Sequence, residues 1–134
     1  MQAQYYIVLI VCTCAVLLVI AVHRKPLQFY LSRDCQGLSW RRTFPDARAD
    51  EIRLFLSIFG AAFGLRERHL LKFAPADGLL QIHGACNLLR GIDALEFETL
   101  SNSLQRRYSF SLQNAWHPSL TLGELFALVR RNAP

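Results

Sequence analysis

DALEFETLSNSLQRRY, from Asp93 to Tyr108, carries the strongest helical pattern in the chain. Leu95, Phe97, Leu100, Leu104 and Tyr108 recur at helical spacing and form one apolar face. Asp93 is placed to cap the helix. Glu96, three residues on, completes a capping-box pattern with Asp in place of Ser or Thr. Glu96 and Glu98 lie near the positive end of the helix dipole, Arg106 and Arg107 near the negative end.

The flanking segments are helical too. Toward the C-terminus, TLGELFALVRR opens with Thr121 and Glu124 as a second capping box. Leu122, Leu125, Phe126 and Val129 face inward, and Arg130 and Arg131 close the negative end. Toward the N-terminus, Asp46 to Phe63 reads as a helix, with Asp46 or Asp50 as N-cap and Asp50 and Glu51 in an early turn. Its apolar face is Ile52, Phe55, Leu56, Phe59 and Phe63, and Gly64 supplies the stop. Between them, Arg66 to Arg90 is irregular. Pro75 and the Asp77-Gly78 pair mark a turn, and Leu70, Leu71, Phe73, Leu79, Leu80 and Ile82 are expected as core contacts from a long loop with short helical turns. No strand alternation is convincing, so the fold class is all-α: a three- or four-helix bundle over residues 46–134.

Before this domain the composition changes. Tyr5 to Val22, YYIVLIVCTCAVLLVIAV, holds no charge, and every charged side chain of the chain lies after Val22. Eighteen helical residues reach about 27 Å, close to a hydrocarbon core of about 30 Å. A lone spanning segment has to be a helix, because lipid offers the backbone no hydrogen-bond partners. His23, Arg24 and Lys25 follow directly, which predicts the N-terminus outside and the domain in the cytoplasm. A cleaved signal peptide is the rival reading, but it carries its positive charge before the apolar core, and MQAQ has none. The same placement argues against a lipoprotein site at Cys12 or Cys14. Residues 1–25 thus read as a retained anchor.

Residues 26–45, PLQFYLSRDCQGLSWRRTFP, read as a membrane-proximal linker. Phe29, Tyr30, Leu31, Leu38 and Trp40 alternate there with Arg33, Arg41 and Arg42, a mixture suited to the headgroup layer. The stretch either lies on its own domain or on the lipid, or serves as a docking strip for a membrane partner.

Composition narrows the function. The chain has 134 residues, 15 Lys+Arg against 10 Asp+Glu and a formal net charge of +5. One span and one small domain exclude a multi-span transporter and a multi-domain enzyme. The basic residues are spread over every element rather than gathered in one helix, which argues against nucleic acid and suits an anionic inner leaflet. Cys12, Cys14, Cys35 and Cys86 make no disulfide framework or metal spacing. His69, His83 and His117 are scattered, with no carboxylate or cysteine at ligand spacing. No catalytic arrangement, metal site or cofactor is expected.

The order of these elements, with Asp93-Ala94-Leu95 opening the second main helix, resembles an acyl carrier protein. The likeness runs from about Asp50 to Arg131 and includes Leu100, Leu104, Tyr108-Ser109-Phe110 and the Leu120-Thr121-Leu122 entry to the last helix. It is also similar to small bacterial proteins of unknown function with a divergent carrier-like domain. In the carrier family an Asp-Ser-Leu motif stands at that helix start, and its serine bears the phosphopantetheine arm. Here Ala94 stands in the serine's place, so Asp93, Ala94 and Leu95 form a degenerate attachment site. A methyl group cannot form the phosphodiester, and Ser101, Ser103, Ser109 and Ser111 do not match the motif. Carrier proteins are also usually acidic, whereas this chain is basic.

The resemblance implies a bacterial inner-membrane, single-pass protein with a non-catalytic role. It would be a scaffold or regulatory subunit docking a membrane-associated enzyme of lipid, polyketide or envelope polymer synthesis. Arg90, Ala94, Glu96 and Glu98 are the expected partner-binding residues. The alternatives are a working carrier with a non-standard acceptor, and a small assembly subunit of a membrane complex.

Overall fold

A computed structural model of the chain describes residues 2–86 and 95–133, with 22–25 as backbone only. The described residues are mostly helical and contain no strand. The elements are α1 (Gln2–Leu31), α2 (Gly37–Thr43), α3 (Ala49–Phe63), a 3-10 helix (Glu67–Lys72), α4 (Leu79–Cys86), α5 (Leu95–Tyr108), α6 (Leu112–Ala115) and α7 (Leu122–Asn132).

α1 is long and apolar enough to cross a membrane. Gln2–Ala21 has a mean hydropathy of 2.4, and none of that stretch is buried against the rest of the protein. Twenty helical residues rise about 30 Å, the thickness of a hydrocarbon core. The helix then runs on through Pro26 to Leu31, where Tyr30 stacks on Phe73 with ring centroids 5.4 Å apart.

The bundle forms because three amphipathic helices share one apolar interior. Ile52, Phe55, Leu56, Phe59 and Phe63 of α3 are buried, as their spacing predicts. Gly64 ends α3 in the left-handed region at φ 68°, and Leu65 N–H donates to the Gly60 carbonyl at 2.8 Å. The start of α3 differs from expectation. Arg48 occupies the N-cap position in extended backbone and makes no side-chain cap. Asp50 pairs with Arg48 at 2.8 Å and Asp46 with Arg130 at 3.4 Å, so ion pairs occupy both carboxylates expected as caps.

α7 follows its sequence pattern closely. Thr121 Oγ1 accepts from Glu124 N–H, Glu124 accepts from Thr121 N–H, and Leu122, Leu125, Phe126 and Val129 are buried. The start of α7 is tied to the loop before α4. Gly78 and Thr121 form an antiparallel bridge, Leu122 N–H donates to Asp77 O at 2.9 Å, and Gly123 N–H to Pro75 O at 2.8 Å. A Cβ on Gly123 would lie 2.9 Å from both the Pro75 carbonyl oxygen and its Cβ, so this close approach requires glycine.

Tyr30, Leu31, Trp40 and Phe44 of the membrane-proximal stretch lie against their own domain, one of the readings open for that linker. Trp40 of α2 is 1% exposed and packs against Phe44, Phe55 and Phe126. Its indole N–H would be costly to bury without a partner, and it donates to the Phe73 carbonyl at 2.8 Å. Arg33 donates to both carboxylate oxygens of Asp77, at 3.1 and 2.5 Å, and to the Lys72 carbonyl at 2.7 Å. Lys72 in turn donates to the Arg33 carbonyl. These contacts join the end of α1 to the turn before α4. In the 66–90 stretch, Leu70, Phe73, Leu79 and Ile82 are buried as expected, but Leu80 is 43% exposed because it lies on the outer side of α4.

Candidate functional site

Three of the expected site residues, Arg90, Asp93 and Ala94, lie outside the described residues, and so does the expected capping role of Asp93. The other three, Leu95, Glu96 and Glu98, are on the first two turns of α5.

The face that α5 buries is set by residues four apart. Glu96, Leu100 and Leu104 lie one above the other and are its buried positions. Leu95, expected on the apolar face, is 55% exposed. Phe97 and Tyr108 are half-buried. The apolar face is thus the expected one except at its start, where Leu95 is outside and a carboxylate sits in the buried row.

Glu96 is the main correction to the proposed partner surface. Its side chain is 11% exposed and its Oε2 lies 3.7 Å from Nε2 of His83 on α4, itself 18% exposed. A carboxylate taken out of water needs such company. His83 in turn lies against the Phe97 ring, centroids 4.6 Å apart, and edge-on to Phe63. Glu96 thus links α5 to α4 and is not offered to a partner. His83, read from sequence as one of several scattered histidines, belongs to this buried cluster. Cys86 is half-buried beside it, and burial, followed by the Glu96 charge, pushes its thiol up to about 11. The thiol therefore stays protonated at neutral pH and is a poor nucleophile.

Glu98 is exposed, at the rim of a groove of about 710 Å³ between α5 and α6. Phe97, Ser101 and Asn102 of α5 line it, facing Leu112, Gln113 and Trp116. Trp116 is 38% exposed and meets the Phe97 ring edge-on at 4.8 Å. α6 has no expectation in the sequence reading. Its four residues are too few for periodicity, and only the apolar pair Leu112 and Trp116 around it hints at a packed element. The groove therefore joins the apolar side chains of Phe97, Leu112 and Trp116 to one exposed carboxylate and the polar side chains of Ser101, Asn102 and Gln113.

The remaining histidines lie elsewhere. His117 Nδ1 is 3.1 Å from Ser119 Oγ and its Nε2 is 3.8 Å from Glu124 beside the α7 cap, and His69 is on the surface of the 3-10 helix. Among the described residues, no three His, Cys, Asp or Glu side chains gather as metal ligands. Comparison with known protein families, with curated proteins and with solved structures finds no significant match to this chain.

Proposed function

We propose that the chain is a single-pass, membrane-tethered docking module with an acyl-carrier-like helical domain and no catalytic role of its own. The domain acts as a scaffold or regulatory subunit at the cytoplasmic face of a bacterial inner membrane. It presents the α5–α6 groove to a membrane-associated enzyme of lipid, polyketide or envelope polymer synthesis. The observation that carries this reading is the groove itself. It lies on the helix whose sequence resembles the carrier's second helix, it is lined by Phe97, Leu112 and Trp116, and exposed Glu98 stands at its rim. The order of α3, α5 and α7 follows the helix order that the carrier resemblance implies, with the 3-10 helix and α4 in the long connection and α6 in the short one. Tethering raises the local concentration of the module for any partner in the same bilayer.

The partner surface of this proposal comprises Leu95, Glu98 and Trp116, with Arg90 and Ala94 retained from the sequence reading. A photo-crosslinking residue in place of Ser101, in the full chain in native membranes, tests it. The expected result is a discrete adduct with one biosynthetic enzyme, lost in Glu98→Lys. The same adduct from a crosslinker at Arg131, on α7, would refute the groove as the contact. Intact-mass analysis after co-expression with a phosphopantetheinyl transferase separates this scaffold from a working carrier. A gain of one phosphopantetheine mass would overturn the non-carrier reading.

A further inference from the structure

α2 has a second face. With about 100° between successive residues, Leu38, Arg41 and Arg42 point away from buried Trp40. All three are exposed, Leu38 by 59%. Beside them is a concave pocket of about 320 Å³, floored by Trp40, Ala47, Ile52 and Leu71 and flanked by Arg41 of α2 and Arg53 of α3. No acidic side chain lines it. Arg41 and Arg53 make no ion pair among the described residues, unlike Arg33, Arg48 and Arg130. Two guanidiniums without an ion-pair partner among the described residues, Arg53 also bordering a neighbouring cavity that Glu67 lines, have on one largely apolar concavity the donor chemistry for an anionic phosphate ester, with Leu38 beside them for the glycerol and acyl part.

The pocket is also close to the bilayer. Gln36 N–H, just before α2, donates to the Leu71 carbonyl, and Trp40 donates to the carbonyl of Phe73, whose ring stacks on Tyr30 of α1. Tyr30 is nine residues beyond Ala21, where the apolar stretch ends. That is at most about 14 Å along the helix, against a headgroup layer of roughly 5–8 Å and a Debye length of about 8 Å. We infer that the Arg41–Arg53 pocket binds the headgroup of an anionic phospholipid of the bilayer that α1 spans, holding the domain against the membrane surface with Leu38 at the interface.

This rests on α1 crossing the bilayer, and the test separates the two claims. The full chain is reconstituted in nanodiscs of phosphatidylcholine mixed with phosphatidylglycerol, and the lipids retained after gentle detergent extraction are counted by native mass spectrometry. The expected result is selective retention of phosphatidylglycerol. Arg41→Gln/Arg53→Gln lowers it by at least roughly 25-fold, from the loss of charge-assisted hydrogen bonds to phosphate at two guanidiniums. Arg41→Lys/Arg53→Lys, which keeps the charge, retains most of it, and Arg42→Gln, outside the pocket lining, changes it little. Equal retention of both lipids would overturn the inference, as would a loss in Arg42→Gln as large as in Arg41→Gln. Displacement of the lipid by inorganic phosphate would assign the pocket to a free anion and overturn the lipid assignment. Failure of the chain to enter nanodiscs would overturn the anchor reading and this inference together, whereas entry without selectivity overturns the inference alone.

Discussion

Replacing Asp77 with Ala should loosen the junction between α1 and the bundle. Asp77 is 12% exposed and accepts from both terminal nitrogens of Arg33, which is 21% exposed. Its Oδ2 also accepts the Ala74 N–H at 2.6 Å. Arg33 Nε is buried without a hydrogen-bond partner, so the guanidinium depends on the carboxylate to offset its desolvation. Breaking a fully buried pair by removing one partner costs about 3–5 kcal/mol. The partial exposure of Arg33 and its surviving bond to the Lys72 carbonyl reduce this, as do its contacts over the Tyr30 and Phe29 rings at 5.0 and 5.5 Å. The expected loss is about 2–3 kcal/mol, a large share of the roughly 5–15 kcal/mol typical of a domain.

The assay is urea unfolding of the full chain in nanodiscs, followed by tryptophan emission, since Trp40 is almost fully enclosed. Asp77→Ala should lower the midpoint by roughly 1 M or more, given a urea slope of about 1–3 kcal/mol per M. Arg33→Met/Asp77→Ala should recover most of the loss, because removing both charges leaves no uncompensated ion. An Asp77→Ala midpoint within error of the wild type, or a double variant no more stable than Asp77→Ala, would refute the reasoning.

Further outcomes concern the α7 junction and the thiols. Thr121→Ala removes one half of the capping box and should cost about 1 kcal/mol in the same assay. Gly123→Ala drives a methyl into the Pro75 backbone and should cost about 1–3 kcal/mol, with the loss growing for Gly123→Val. Exposed Cys35 should react with a water-soluble maleimide at neutral pH far faster than Cys86, whose thiol burial holds up near 11. Cys86 also has a pH signature. Its folded value lies above the ordinary 9.0, so the unfolded chain loses that proton first. The native state should therefore lose stability between about pH 9 and pH 11 relative to Cys86→Ala, and unfolding midpoints of the two proteins across that range check the sign.

The features legible along the chain are local ones. The apolar faces of α3 and α7, the Gly64 stop and the Thr121–Glu124 box each repeat or act over about four positions, and the apolar stretch of α1 is one uninterrupted run, so hydropathy, dihedral preference and capping along the chain suffice for them. Only the tertiary structure decided which of these faces met. Trp40 reads as an interfacial aromatic until the Phe73 carbonyl, 33 residues away, receives its N–H. Glu96 reads as a helix-start charge until His83 of α4 comes within 3.7 Å of it on the buried side of α5, with Leu95 left outside. The groove needs α6, too short for periodicity to show, and the Arg33–Asp77 lock joins residues 44 apart. Burial and charge pairing are properties of a neighbourhood, and folding supplies that neighbourhood from residues that no periodicity along the chain relates.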